Sequence, residues 1–508
     1  MRSTLLLLLV CMLAPGLAPR AAAATAFDTA MAASVWSAAL SYIAPRALQP
    51  LSVPQMTVWG LNGLTALDPD LTATLQDGQL RLYGPEALLI ALPAPAPDDS
   101  LAWGNAAAKI AAAAFAASPA LQQAGTQGVI QSFFDELFNH FDPYSRYEPP
   151  IRAAQDQLMI TGAAGAGFSL TRLGNAVVIG DVAPDSPAAE AGFAPGTQVL
   201  AIDDRAVYPG EVSLLNANHA GIPGSAVKVR LRDPSDPDTE TEVTLTRAFV
   251  PPQTVFLEPG LPPGVLGLKI TAFNTGTSDQ FSAALVTGLS ADPPPDALLI
   301  DLRGNRGCVL RQAVLVADSL LSAGKIVQAA GRDPAADQAY AAEGSDITGG
   351  LPIVVLVDGQ TASAAEILAA SLADNRRAVV VGSATLGKGL VQTLTSLPDG
   401  GELFVTWSRV LAPLGWPLQT LGVMPDICTS LGEPALDAQL SALSHGQNLL
   451  ANALAASRAA RAPVPVATVL NIRNQCPAAI GGDLDFSAAA AALASPAIYK
   501  AALWPQGR

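Results

Sequence analysis

The sequence predicts an α/β core that carries an inserted β-rich domain and is preceded by a helical amino-terminal cap. Three observations point there. From about residue 251 to 430, strand-like and helix-like segments alternate, and Ile353-Val354-Val355-Leu356-Val357 is apolar throughout, as a strand buried on both faces must be. Residues 155–250 change texture to short β-branched strands between Gly, Pro and Asp turns. Residues 27–125 hold two Ala-rich helical stretches.

Taken in order, Arg2, the apolar run Leu5 to Leu13 and the small residues Ala21 to Ala24 have the layout of a secretory signal peptide over residues 1–24. Its removal takes away Arg2 and Arg20 and moves the formal charge from −15 to −17. The expected protein is therefore exported, periplasmic or secreted. The cap, residues 25–125, contains an amphipathic stretch from Met31 to Tyr42, a strand-like piece from Gln79 to Leu92, a Pro-punctuated loop from Pro93 to Asp99 and a helix from Ala102 to Ala117. Residues 126–154 open the core with a helix from Val129 to Phe141, ended by Asp142-Pro143. The β-rich domain spans 155–250, with a short helix at Pro187 to Ala191. The core resumes over 251–430. An Ala-rich extension, 431–508, carries no functional signal.

Composition bounds the function. With 28 Lys+Arg against 43 Asp+Glu, the charge balance argues against nucleic-acid binding through a basic surface as the main task. Half of the residues are hydrophobic and 14% are charged, which excludes a disordered polyelectrolyte. The mean hydropathy of +0.34 raises the question of a membrane protein. Beyond residue 25 no apolar run reaches the roughly 18 residues that a spanning helix needs. Three cysteines follow the signal segment, Cys308, Cys428 and Cys476. They allow either one disulfide, for which Cys428 with Cys476 is preferred, or three thiols. Neither CxxC nor HExxH spacing occurs, so no metal site is expected.

The chemistry concentrates after the apolar strand. Asp358 to Ala362 leads to Ser363, and a helix pattern starts at once with Ala364-Ala365-Glu366. A serine on a strand-to-helix turn faces substrate, and the free N–H groups of the helix start stabilise negative charge beside it. Serine is also a common helix cap, so this pattern alone does not make a nucleophile. Gly387-Lys388-Gly389 follows another buried strand. Desolvation there disfavours the lysine's charge, and a lysine brought down from about 10.4 to about 7–8 serves as a base near neutral pH.

Together these segments resemble the carboxyl-terminal processing peptidases, serine proteases with a PDZ domain inserted in the catalytic domain. The family's Ser-Ala-Ser-Ala-Ser-Glu is matched by Thr361 to Glu366, and its Thr-Phe-Gly-Lys-Gly-x-x-Gln by Thr385 to Gln392. Asp301 to Cys308, Asp142 to Tyr147 and Gly422 to Asp426 match three further motifs. Gly165-Ala166-Gly167-Phe168 resembles the loop with which PDZ domains hold a chain carboxylate, where a nest of N–H groups binds the anion and an exposed strand edge adds the peptide. The resemblance implies a core of the crotonase/ClpP-like kind. It implies Ser363 as nucleophile, Lys388 as base, Gln392 as the residue that orients the lysine, and the amides of Gly307 and Ala364 as oxyanion donors. It implies polypeptide substrates with apolar carboxyl termini, no cofactor and no metal, and leaves room for a homo-oligomer or an adaptor.

Cys308 stands where the family has a second glycine, Tyr144 where it has histidine, and Thr197 where its PDZ domains usually have aspartate. Residues 27–125 and 431–508 do not align with the family. A phosphate-binding loop, Gly382 to Lys388, fails because Gly389 replaces the Ser or Thr that reaches magnesium. A His-dependent hydrolase fails because GxSxG is absent, and His140 reads as a helix-end residue. The remaining alternative is a catalytically silent PDZ-containing scaffold that binds exported chain termini.

Overall fold

The computed structural model describes residues 26–184, 186–218, 221–233, 236 and 238–503. The expected signal peptide and His219 lie outside them. The described chain divides into two compact units. One is formed by residues 26–41 and 52–141, the other by 42–51 and 142–503.

In the first unit, helices Val53–Leu67, Ser100–Ala117 and Pro119–Phe138 accompany an antiparallel sheet of Thr72–Gln76, Gln79–Tyr83 and Leu88–Pro93. Caps explain the helix starts: Ser52 accepts the N–H of Gln55, and Asp99 that of Ala102. Gly63 lets Val53–Leu67 approach Pro119–Phe138 closely, because a Cβ there would lie 2.4 Å from the Ser132 carbonyl. Asp77 and Gly78, both at positive φ, close a two-residue hairpin, the geometry that an Asp-Gly pair favours. The single strand-like piece expected over Gln79 to Leu92 is two strands, separated by the turn at Gly84-Pro85. The unit combines helices and strands, and it runs to Phe141. His140 is exposed and stacks on Trp59, with ring centroids 4.3 Å apart.

In the second unit the β-rich domain is a sheet in the order Glu240–Thr246, Ala226–Arg232, Gln198–Ile202, Ala176–Val182, Phe168–Leu173. Phe168–Leu173 is therefore an edge strand. Its core is built by Phe168, Leu170, Ile179, Val199 and Val229.

The central sheet runs Val255–Leu257, Val265–Ile270, Ala297–Asp301, Ile353–Val357, Ala378–Gly382, Ile427–Cys428, with parallel pairing throughout after the first pair. Every residue of Ile353–Val357 and Ala378–Gly382 is buried, which accounts for their unbroken apolar sequence. Side chains alternate between two cores. Ile353, Val355 and Val357 pack with helices Thr277–Leu289, Leu310–Asp318 and Ala364–Asp374. Val354 and Leu356 pack with Leu436, Leu443, Ala488 and Ala492. The Ala-rich extension is therefore a set of helices, from Glu433–Ser444 to Pro496–Ala502, that covers the second face of the sheet. A disulfide between Cys428 and Cys476 fastens it, with Cα atoms 5.7 Å apart. A further antiparallel sheet, Gln338–Ala341, Lys325–Gly331, Glu402–Leu411, Leu390–Ser396, also pairs with Arg146–Glu148. Among the described residues no helix is long and apolar enough to cross a membrane.

Candidate active site

The turn after Ile353–Val357 is wound on one carboxylate. Asp358 Oδ1 accepts the N–H groups of Gln360 at 3.0 Å, Thr361 at 2.9 Å and Gly304 at 3.0 Å, joining this turn to the loop 302–308. The Ala362 N–H adds a bond to the Asn305 carbonyl at 2.9 Å. Ser363 follows with φ 58° and ψ −119° at the first residue before helix Ala364–Asp374. Positive φ costs a non-glycine residue about 1–3 kcal/mol, so this turn holds the serine in a strained position. The N–H of Ala364, the first helical residue, has no partner among the described contacts.

Glu366, fully buried, organises the site. Its Oε2 accepts the backbone N–H of Ser363 at 2.8 Å and of Lys388 at 2.9 Å. Its Oε1 accepts the Gly387 N–H at 2.7 Å and the hydroxyl of Thr385. Burial pushes the Glu366 carboxyl up, against the pull of those four donors. One carboxylate therefore ties the strand-to-helix turn of Ser363 to the loop of Lys388. The spacing Ser363-x-x-Glu366 is that of a capping box, the sequence signal for this contact.

Lys388 is half-buried, and its Nζ lies 5.0 Å from the centroid of the Tyr144 ring. Desolvation lowers its pKa, and the positive charge of Arg146 lowers it further. Cys308 and Glu366 act in the opposite sense. Gln392 Nε2 donates to the Leu390 carbonyl at 3.1 Å and to Thr406 Oγ1 at 3.0 Å. Among the described residues no hydrogen bond joins Ser363 to Lys388 or Lys388 to Gln392. Glu366 joins the backbones of Ser363 and Lys388, and Gln392 follows four residues after Lys388 on strand Leu390–Ser396.

Of the two amides expected as oxyanion donors, that of Gly307 donates to Asn305 Oδ1 at 2.7 Å. Asn305 is itself fixed, because its Nδ2 donates to the Ile270 carbonyl at 2.8 Å. Gly307 does lie against the serine turn, since a Cβ on it would come 2.6 Å from Ala364 N and 2.9 Å from Ser363 Cβ. Cys308 is exposed and has φ 135°, a conformation suited to glycine. Its sulfur is still crowded enough that desolvation raises the thiol pKa.

Gly165, Gly167 and Phe168 line a cavity of about 560 Å³, together with Ser169 and Asn216. Ala166 is fully buried, and its carbonyl accepts the Ala188 N–H at 2.9 Å, so it faces the domain interior. Gly167 has φ 81° and permits close approach of Ser186, which a Cβ would meet at 2.1 Å. The edge strand beyond this loop is occupied by Asn216. Its Oδ1 accepts the Leu170 N–H, and its Nδ2 donates to the Leu170 carbonyl, both at 2.8 Å.

Two protein-family models match this chain. The model for peptidase family S41 matches residues 264–429, and the PDZ-domain model matches residues 164–243. A carboxyl-terminal-processing protease of Picosynechococcus is 32% identical over 290 residues, covering 56% of this chain and 69% of the relative. The chain belongs to peptidase family S41. The chloroplastic C-terminal processing peptidase of Tetradesmus obliquus is 33% identical over 302 residues, and this chain spans 64% of its length. Among solved structures, a photosystem II D1 C-terminal processing protease is 28% identical, with a TM-score of 0.36, over 73% of this chain and 92% of that one.

In this S41 peptidase the Gly422 to Asp426 motif serves the fold. Asp426 is buried, and its Oδ2 accepts the Val380 N–H at 2.8 Å, holding strand Ala378–Gly382 in place. The polar positions outside the matched motifs are Thr406 and Asn216, and each acts on residues distant in sequence, which leaves no local signal.

Proposed function

We propose that this S41 peptidase is an exported serine endopeptidase that cleaves polypeptides near their carboxyl termini with Ser363 and Lys388. The observation that carries this reading is the shared anchor: Glu366 accepts the backbone N–H groups of both Ser363 and Lys388, at 2.8 and 2.9 Å. The chain terminus enters the cavity at Gly165, Gly167 and Phe168, and apolar end residues suit its lining. Lys388, whose charged form desolvation disfavours and which Gln392 orients, takes the proton of Ser363 when its amine is neutral. The Ser363 oxygen attacks the scissile carbonyl, and negative charge gathers on the carbonyl oxygen. Ala364 N–H meets that charge. Gly307 N–H joins it once it leaves Asn305 Oδ1. Lys388 passes its proton to the leaving amine, then takes a proton from the water that hydrolyses the acyl-enzyme. These steps use the protein's own groups throughout. The Cys428–Cys476 disulfide fits an oxidising compartment, in agreement with export to the periplasm or beyond. A homo-oligomer or an adaptor remains compatible with this scheme.

The second reading, a silent scaffold that binds chain termini, is favoured by one observation: the Gly307 N–H is committed to Asn305. Incubation of the purified protein with an unfolded polypeptide that ends in apolar residues, followed by mass spectrometry of the products, separates the two. Cleavage that is lost in both Ser363→Ala and Lys388→Ala, with folding intact, is expected. An uncleaved but bound peptide supports the scaffold instead.

A further inference from the structure

Gln392 and Thr406 are cross-strand partners in the sheet formed by Leu390–Ser396 and Glu402–Leu411. Gln392 Nε2 donates to Thr406 Oγ1 at 3.0 Å. Thr406 Oγ1 in turn faces Asp142 Oδ1 at 2.8 Å. An ionised carboxylate only accepts, and a threonine hydroxyl has one proton, so the Thr406 proton points at Asp142. What remains on Oγ1 toward Gln392 is a lone pair. The nitrogen end of the Gln392 amide must therefore face Thr406, and Oε1 must face away.

Asp142 is itself held. Its Oδ1 also accepts the N–H groups of Tyr144 at 2.9 Å and Ser145 at 3.0 Å, and its Oδ2 accepts the Ser145 hydroxyl at 2.6 Å. Thr406 N–H donates to that hydroxyl at 3.0 Å. Thr406 and Ser145 are 3% and 5% exposed, so water does not compete for these bonds.

We propose that Thr406, set by Asp142, is a positioning residue that fixes the Gln392 amide with its oxygen end free to accept from the amine of Lys388. This assignment rests on the Ser363/Lys388 reading above. An amine that donates one N–H to Oε1 keeps its lone pair for the Ser363 hydroxyl. A flipped amide presents NH₂ instead, which occupies that lone pair and removes the base.

Thr406→Val in the full chain removes the hydroxyl at nearly constant volume and leaves the Leu390 carbonyl, 3.1 Å from Nε2, as the only hold on the amide's orientation among the described residues. Its kcat should fall at least about tenfold with KM unchanged, because general-base assistance is worth far more than that. The acid limb of the pH–rate profile should move to lower pH, because the ammonium loses its carbonyl partner. The charged and titratable groups facing Lys388, which are Arg146, Glu366, Cys308 and the Tyr144 ring, are untouched by the substitution. Thr406→Ser should restore kcat and the limb. On a Gln392→Leu background, Thr406→Val should cost no further kcat, whereas a merely structural role would cost the same on both backgrounds. If the valine variant does not fold, Thr406→Ala takes its place: it also removes the hydroxyl that receives Gln392 Nε2, with the same loss expected. Wild-type kcat and an unmoved limb would overturn the assignment of Thr406. If Ser363→Ala and Lys388→Ala remain active, it is the dyad reading that fails.

Discussion

Glu366 meets Lys388 at its backbone N–H, 2.9 Å from Oε2, and no ion pair joins that carboxylate to Lys388 Nζ among the described residues. A buried carboxylate against the ammonium would favour the charged lysine and disable it as a base. With both oxygens spent on backbone and hydroxyl donors, Glu366 has the smallest of the four influences on the lysine.

Glu366→Gln offers one acceptor oxygen where two served four donors. Each buried group left unpaired costs about 1–3 kcal/mol, so stability should fall by about 3 kcal/mol or more. Turnover should fall with it, because the Ser363 turn and the Lys388 loop lose their common anchor. Urea midpoints and kcat check this, and a variant with wild-type stability would show that the anchor is dispensable.

Cys308→Gly should stabilise the protein. The residue sits at φ 135°, where a side chain costs about 1–3 kcal/mol, partly offset by the extra unfolded-state freedom of glycine. A gain of about 1 kcal/mol with undiminished activity is expected from thermal melts and peptide assays. A loss of activity would give the thiol a role in the site.

What the sequence made legible follows from how residues are buried. Ile353–Val357 and Ala378–Gly382 were readable because two-sided burial leaves an unbroken apolar run. The helices after residue 431 were not, because alanine is apolar on every face and no periodic stripe marks the buried side of Asp483–Ala494. Strand Lys325–Gly331 escaped because its buried residues are interrupted by Gln328 and end in small residues. At the site, Ser363 and Glu366 are three residues apart and readable as a unit. The pairing of Gln392 with Thr406 and Asp142 depends on strand register between distant segments, and the loss of the Gly307 N–H to Asn305 depends on a loop conformation.

Asn216→Ala should tighten peptide binding at the PDZ domain. Asn216 takes both outward backbone groups of Leu170, on the edge strand that a peptide would extend. Two such bonds, at roughly 0.5–1.5 kcal/mol each, compete with the incoming strand. Titration of a labelled carboxyl-terminal peptide into the full chain carrying Ser363→Ala should show affinity rising about tenfold on adding Asn216→Ala. Unchanged or weaker binding would show that the peptide does not use this edge.

Asp426 should shape the pH dependence of stability. Burial raises its carboxyl from 3.8 to about 6, against the opposing charge of Arg458 and the bond from Val380 N–H. The folded state thus holds a proton that the unfolded state has released between pH 3.8 and 6, and stability falls as pH rises through that window. The shift corresponds to roughly 3 kcal/mol at most. Asp426→Asn should flatten the urea midpoint between pH 4 and 6 relative to wild type. Parallel profiles would assign the titration elsewhere.

The base assignment is tested most directly by the pH dependence of kcat/KM on a peptide substrate between pH 6 and 9. Desolvation and Arg146 lower the pKa of Lys388, so the neutral amine grows with pH across that range and activity should rise with it, toward a slope of about one per pH unit on the acid side. A flat profile would contradict Lys388 as the general base.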